Sequence, residues 1–64
     1  MTRELLYAFT QLRISERDSV LRSMGIKVPK HMGETGLDFC TRAVRLVCAE
    51  GRVRELEEEM QRYQ

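Results

Sequence analysis

The chain has 64 residues, a formal net charge of +1, and charged side chains at 33% of its positions. This length allows a single domain, residues 1–64, which buries only about 60% of the surface of its unfolded chain. The mixture of both charge signs argues against a general binder of polyanions. The sequence contains neither a run of about 18 apolar residues nor a recognisable signal peptide, so we expect a cytoplasmic protein without a membrane segment.

The first predicted element is a helix over Arg3 to Leu12. Its apolar residues recur at spacings of three and four, which is the pattern of a helix with one buried face. They are Leu5, Leu6, Phe9 and Leu12. The polar face of the same helix carries Arg3, Glu4, Thr10 and Gln11. A short connection up to Ile14 follows.

A second helix is predicted to begin at a cap formed by Ser15 and Asp18, whose spacing allows reciprocal hydrogen bonds to free backbone amides. Gly25 is predicted to end it. Ile26 then occupies the position where a Schellman cap returns an apolar side chain to the helix, here onto Leu21. The inward face of this helix carries Val20, Leu21 and Met24.

The segment Gly25 to Gly36 is the least regular part of the sequence. Pro29 favours an extended residue before it and is compatible with a single helical turn over Lys30 to Met32. We expect Val28 and Met32 to anchor this connection to the core. With so few apolar residues, it is the segment that we expect to be held most weakly.

The central helix is predicted from Leu37 to Cys48, with about 15 residues between its caps. Thr35 and Asp38 have the spacing of a capping box, and Gly51 stands where a left-handed residue would end the helix. Its apolar arc covers roughly 200°, which requires neighbours on more than one side. The arc contains Leu37, Cys40, Ala43, Val44, Leu46, Val47 and Cys48, with Phe39 at its edge.

A fourth helix is predicted over about Arg52 to Arg62, with an apolar stripe and a run of glutamates. The stripe is Val53, Leu56, Met60 and Tyr63, and the glutamates are Glu55, Glu57, Glu58 and Glu59. No alternating pattern typical of a strand occurs in the chain. The sequence therefore predicts an all-α fold, a compact antiparallel bundle of four to five helices, with a short helix near Pro29 as the fifth.

No residues have the pattern of a catalytic or metal site. His31 is the single histidine, and no Cys or carboxylate cluster with metal-ligand spacing lies beside it. Cys40 and Cys48 are eight residues apart on one helix, about 12 Å along its axis, which is too far for a disulfide. We read them as small core side chains in a reducing compartment. We expect no enzyme, no cofactor, no metal and no small-molecule substrate.

The charges are unevenly distributed along the chain. Residues 1–36 contain six lysines and arginines against four acidic residues, a balance of +2, whereas residues 37–64 contain five against six, a balance of −1. Opposite patches on one rigid body allow head-to-tail contacts between copies or between related surfaces. We predict contact residues Arg17 and Arg22 on the basic side, with Glu57 and Glu58 on the acidic side.

Two other interpretations stay open. Basic residues on the first half of the chain, such as Arg13, Lys27 and Lys30, are compatible with a small nucleic-acid-binding regulator. That reading is disfavoured because a helix-turn-helix needs a turn of three or four residues, and the connection before the central helix is about ten residues long. The other interpretation is a closed homodimer formed through the glutamate-rich last helix.

The run from Ala43 to Leu56 (AVRLVCAEGRVREL) resembles the closing half of the bacterial death-like or effector-associated domains. In these domains an apolar helix ends in Ala-x-x-Gly-Arg, followed by a hydrophobic residue and then Glu-Leu. The earlier segment Ser15 to Ile26, with its Leu-x-x-x-Gly-Ile ending, is compatible with this pattern. The resemblance covers most of the chain, but its motif is specific only over the last third.

This resemblance implies a death-like fold, usually of six helices, and homotypic binding between matching domains on separate proteins. Such binding recruits proteases, nucleases, pore formers or nucleotide-driven sensors in bacterial defence. The family has no catalytic motif to transfer to this sequence. We therefore predict a protein-interaction adaptor whose partner is a similar domain or a second copy. A central helix left bare along one side, or a pocket joining His31 with acidic groups, would contradict that prediction.

Overall fold

The computed structural model describes residues 2–63. In order along the chain, the elements are α1 (Thr2–Thr10), α2 (Ile14–Ser23), α3 (Gly36–Ala49), α4 (Val53–Met60) and a 3₁₀ turn (Gln61–Tyr63). Residues 2–63 contain no strand. The prediction of an all-helical fold is therefore confirmed, and the helices enclose one apolar core about which all four are arranged.

Helix α3 provides the largest share of this core. It packs chiefly against α1 and also contacts α4, while α2 packs against α4. Its buried residues are Phe39, Cys40, Ala43, Val44 and Val47. The predicted central helix is thus covered on more than one side. Leu37 is an exception, because 59% of its surface is exposed where the sequence predicted burial. Leu37 lies in the first turn of α3.

Helices α2 and α3 end in the same Schellman geometry, as the positions of Gly25 and Gly51 predicted. The two glycines have φ angles of 71° and 70°, a left-handed conformation that a Cβ would strain. The residue after each glycine donates its amide back into the helix, with Ile26 to the Leu21 carbonyl at 2.9 Å and Arg52 to the Val47 carbonyl at 3.0 Å. Ile26 is buried, which confirms the predicted apolar return of the chain.

The start of α2 differs from the prediction. The helix begins at Ile14, and the backbone amide of Arg13 donates to Glu16 Oε1 at 2.9 Å. The predicted cap of Ser15 and Asp18 is therefore wrong. Glu16 lies three residues after Arg13, so its carboxylate accepts the Arg13 amide two residues earlier in the chain than the predicted pair, and the arginine side chain supplies no return acceptor.

Helices α1 and α4 are both shorter than predicted. Helix α1 ends at Thr10 rather than Leu12, and the free Thr10 carbonyl accepts a hydrogen bond from Arg17 Nη2 at 2.8 Å. Leu12 nevertheless stays in the core. Helix α4 ends at Met60, and the chain then tightens into the 3₁₀ turn, a frequent way to finish a helix.

The connection between α2 and α3 contains no helical turn, so the predicted turn over Lys30 to Met32 is wrong. The backbone instead makes a tight turn at residues 31–34, in which the Glu34 amide donates to the His31 carbonyl at 3.2 Å. Val28 packs against the core as predicted. Met32 does not, because it occupies the tip of this turn and is fully exposed.

Candidate functional site

The corner between α3 and α4 is held by one arginine. Arg52 Nε and Nη2 grip the Glu55 carboxylate at 2.9 and 2.7 Å, while Nη1 lies 3.3 Å from Glu50. The same Nη2 also donates to the backbone carbonyl of Met24, at 2.6 Å, which is the capping residue of α2. This forked pairing raises the pKa of Arg52 and lowers the pKa of Glu55. The Arg52 side chain therefore links the ends of α2 and α3 to the start of α4.

This geometry gives structural roles to the residues that carry the family resemblance. Gly51 supplies the left-handed residue that ends α3. Arg52 and Glu55 form the fork, and Leu56 is completely buried. The Gly-Arg-hydrophobic-x-Glu-Leu motif therefore stabilises the corner between α3 and α4. Its arginine and glutamate pair with each other, and its leucine is buried in the core.

A second arginine holds the connection before α3 in a similar way. Arg42 Nε and Nη2 grip Glu34 at 3.0 and 2.7 Å, and Nη2 also donates to the Pro29 carbonyl. Glu34 additionally accepts the His31 backbone amide at 2.9 Å. These donors, with Arg42 the stronger, hold the pKa of Glu34 below its usual value. Sequence spacing does not indicate this pair, because eight residues and a helix cap separate Glu34 from Arg42.

A cavity of about 220 Å³, open to solvent, lies between this connection and the first turns of α2 and α3. Its floor includes the buried ring of Phe39, and Ile14 forms an apolar part of its wall. The remaining lining residues are mainly charged or polar, namely Arg17, Asp18, Lys30, His31, Glu34, Thr35 and Gly36. The cavity therefore joins apolar and charged surfaces within one concave site.

This cavity does bring His31 together with two acidic residues, the arrangement that would contradict an adaptor. Each of the two carboxylates already has a cationic partner within the chain, however. Glu34 is held ionised by Arg42, and Asp18 lies 3.7 Å from the Lys30 ammonium. Because Arg42 lowers the pKa of Glu34, this carboxylate is a poor general acid or base. The cavity therefore gathers a histidine and two carboxylates, of which Glu34 is held ionised by an arginine.

Nucleophiles are also lacking at this cavity among the residues that the structure describes. Thr35 is the one hydroxyl residue of the lining, and its Oγ1 accepts the Asp38 amide at 3.1 Å, in the capping box that the sequence predicted. Cys40 is completely buried, and this burial raises the pKa of its thiol. Within residues 2–63, no three His, Cys, Asp or Glu side chains are grouped to hold a metal.

The predicted contact residue Arg17 is not a free surface charge. Its side chain is half-buried, its Nη2 donates to the Thr10 carbonyl, and its Nη1 lies over Gly36. The expectation that it faces outward is therefore wrong. A cation at the carboxyl end of α1 satisfies a free carbonyl and complements the helix dipole. Arg17 Nε is buried without a hydrogen-bond partner in the described part of the chain.

The other three predicted contact residues are exposed. Arg22 lies in the last turn of α2, and Glu57 and Glu58 lie on α4. Within residues 2–63, none of the three forms an ion pair or a side-chain hydrogen bond. Neighbouring charges do form pairs, such as Arg62 with Glu59 at 3.7 Å. The structure thus leaves one basic residue and two acidic residues available on different helices.

The helix order bears on the nucleic-acid alternative. Residues 24–35 separate α2 from α3, a connection much longer than the turn of a helix-turn-helix motif. A three-residue turn does separate α3 from α4, but α4 carries four glutamates that would repel phosphates. Three residues also join α1 to α2, so the lengths of the connections alone do not decide the nucleic-acid alternative.

Comparisons with protein-family models, with curated proteins and with solved structures find no match to this chain. No helix within residues 2–63 is long and apolar enough to cross a membrane.

Cys40 and Cys48 are both free thiols, as predicted from their spacing, although Cys48 is only half-buried.

Proposed function

We propose that this chain is a non-catalytic protein-interaction module of the death-like kind. It binds matching domains, copies of itself included, and so recruits or assembles effectors in bacterial defence signalling. The observation that carries the proposal is the division of the charged residues. Arg42 and Arg52 are used in internal ion pairs, whereas Arg22, Glu57 and Glu58 stay exposed and unpaired within the described residues.

Charges of opposite sign on separate elements favour a head-to-tail contact. The acidic surface of α4 on one molecule meets the basic end of α2 on the next, and such a contact repeats along an assembly when it does not close. Charged surfaces of this kind set partner choice and association rate more than raw affinity. This fits an adaptor that must select a matching domain.

The resemblance to the death-like family supports the same proposal, and within the matching run Gly51 ends α3 while Arg52 and Glu55 pair at the start of α4. A bundle with four helices and a 3₁₀ turn is smaller than the six helices usual in that family. We propose a compact variant of the death-like bundle, with antiparallel neighbours, in which the irregular connection takes the place of further helices.

Arg22→Glu tests the basic surface. We expect association, followed by light scattering at low salt, to weaken about tenfold, because a cation that meets Glu57 or Glu58 becomes an anion. Helicity should be unchanged, since Arg22 is exposed. Arg45→Glu is the matched control: this arginine is also exposed, but lies on α3. The two variants have the same net charge, so a general charge effect would change both equally.

A charge exchange completes the test. Mixing Arg22→Glu with Glu58→Arg should restore association between the two variants, although each alone associates weakly. Equal behaviour of Arg22→Glu and Arg45→Glu would remove these residues as contacts. A gel shift with duplex nucleic acid that disappears with Arg22→Glu would replace the adaptor by the nucleic-acid alternative.

A further inference from the structure

The Arg17 guanidinium has no anionic partner within residues 2–63. Its Nη2 donates to the Thr10 carbonyl, which is a neutral acceptor. Nε is buried without a hydrogen-bond partner in this part of the chain, and Nη1 makes no hydrogen bond there either. A half-buried cation in this position has lost part of its hydration without gaining an opposite charge, which is unfavourable for a charged group.

The same guanidinium is part of the cavity between the α2–α3 connection and the first turns of α2 and α3. Arg17 and Gly36 both line this cavity, and a Cβ added at Gly36 would lie 3.9 Å from Arg17 Nη1. Because glycine has no side chain, Nη1 is left uncovered at this point. The cavity therefore offers an arginine N–H group that the described part of the chain does not use.

The other charges around the cavity are matched within the chain. The Lys30 ammonium lies 3.7 Å from Asp18, and Arg42, which stands outside the lining, binds Glu34 at 2.7 Å. When Arg42 is included, three cations stand against two carboxylates, so one positive charge remains, that of Arg17. A positive charge in excess beside an unused arginine donor favours an anionic ligand over a cationic or neutral one.

We propose that this cavity binds a small organic anion, a molecule with one carboxylate or phosphate group and a short apolar part. The oxyanion accepts a hydrogen bond from Arg17 Nη1, because guanidinium groups form directed, charge-assisted hydrogen bonds with both kinds of oxyanion. The apolar part lies against Ile14, which lines the cavity and is 65% exposed. The cavity volume of about 220 Å³ is below the roughly 300–1,000 Å³ of sites for drug-sized ligands, so we expect a small ligand.

This site goes beyond the proposed interaction function and does not depend on it. The exposed charges assigned to the interaction, Arg22, Glu57 and Glu58, all lie outside the cavity lining. Backbone amide signals in NMR report on individual residues, so binding at the cavity can be followed separately from association of the chains. The two proposals are therefore tested, and can fail, independently of each other.

Titrations with the sodium salts of acetate, isobutyrate and inorganic phosphate test the site at neutral pH and constant ionic strength. We expect the amide signals of Ile14 and Gly36 to shift and to reach saturation. Isobutyrate should bind about tenfold more tightly than acetate, because its two additional carbon atoms are buried against Ile14. Phosphate that binds more tightly than acetate would assign the site to phosphate esters, and the reverse order would assign it to carboxylic acids.

Asp18→Asn gives a test that a loss of folding cannot imitate. Removing this carboxylate from the lining takes away a like charge and frees Lys30, so isobutyrate should bind about fivefold more tightly. Glu58→Gln is the matched control: it changes the net charge equally, but Glu58 lies on α4 outside the lining. The affinity of this control for isobutyrate should equal that of the wild-type chain.

Arg17→Gln should abolish binding, and circular dichroism checks that this variant still folds, since Arg17 also holds the end of α1. The absence of saturable shifts at Ile14 and Gly36 with all three anions would overturn the proposal. So would equal affinities of Asp18→Asn and Glu58→Gln for isobutyrate, or undiminished binding by a folded Arg17→Gln variant.

Discussion

Arg52 and Arg42 make the same kind of contact in two regions of the molecule that differ in their packing. Each forks one glutamate and donates to a distant backbone carbonyl, Met24 for Arg52 and Pro29 for Arg42. Arg52 lies next to the core residues Met24 and Leu56, whereas residues 29–35 around Arg42 contribute no side chain to the core. The Arg52–Glu55 ion pair therefore adds to the packing of core side chains, whereas the Arg42–Glu34 ion pair holds a segment that has no core side chains of its own.

The difference indicates how stability is distributed. At the α3–α4 corner the ion pair lies beside packed core residues. Separating these helices would expose the core, so we expect this corner to open only when the whole domain unfolds. Where the ion pair stands alone, the segment can open locally at a lower free energy. We therefore expect changes at the α3–α4 corner to act globally and changes in the α2–α3 connection to act locally.

The largest expected effect comes from the packing beneath the corner. Leu56 is completely buried, so Leu56→Ala should lower the free energy of unfolding by about 3 kcal/mol through lost burial and the cavity left behind. In a domain whose total stability is a few kcal/mol, this loss leaves much of the chain unfolded. Urea denaturation followed by circular dichroism measures it.

Val28→Ala is the corresponding change in the connection. Val28 is half-buried at the edge of the core, so we expect a loss of less than about 1 kcal/mol. Equal losses for Leu56→Ala and Val28→Ala would contradict the distinction between the two regions.

Two glycines give a closer comparison of the same regions. Gly51 and Gly33 have φ angles of 70° and 79°, and an added Cβ would meet nothing within 4 Å at either position. The intrinsic strain of an alanine, about 1–2 kcal/mol, is therefore the same for both. Gly51→Ala should show that whole cost in global unfolding. Gly33→Ala should show less, because its turn can open while the helices stay folded.

Hydrogen exchange separates the two outcomes. In Gly33→Ala we expect faster exchange of the Glu34 amide, which donates within the turn, with no change in the buried part of α3. In Gly51→Ala the amides of α3 should exchange faster together. A Gly33→Ala variant that loses as much global stability as Gly51→Ala would show that the connection is cooperative with the core.

Much of the structure of the α3–α4 corner can be predicted from the sequence, but little of the structure of the α2–α3 connection. The ends of α2 and α3 follow from Gly25 and Gly51, because turn chemistry and apolar spacing agree there. Local spacing cannot reveal that Arg17 turns back onto α1, nor that Arg42 reaches Glu34 across a helix cap. Both contacts depend on how the helices are placed in three dimensions.

The cavity was missed for the same reason. Its lining comes from residues 14, 17 and 18, residues 30, 31 and 34–36, and residue 39, three parts of the chain that become neighbours only after folding. Met32 was assigned to the core because its side chain is apolar, yet the turn ending at Glu34 directs it into solvent. Exposed charges such as Arg22 were easier to predict, since a charged residue on the polar side of a helix rarely changes its environment.

The smallest expected effect is the pH dependence of the two clamps. The pKa values of Glu55 and Glu34 are lowered in the folded chain by Arg52 and Arg42. A carboxyl whose folded pKa is depressed contributes stability above its unfolded value, about 4.5, and loses that contribution as the pH falls through the folded pKa. Acidification below about pH 4.5 should therefore weaken both clamps.

Glutamine variants assign this loss to each region. Glu55→Gln should reduce the acid sensitivity of global unfolding, measured by urea denaturation at a series of pH values. Glu34→Gln should instead reduce the acid sensitivity of the connection, read from limited proteolysis between α2 and α3. Because both carboxyls keep solvent contact, each change is modest. If Glu34→Gln altered global unfolding as much as Glu55→Gln, the Arg42 clamp would be as closely coupled to the core as the Arg52 clamp.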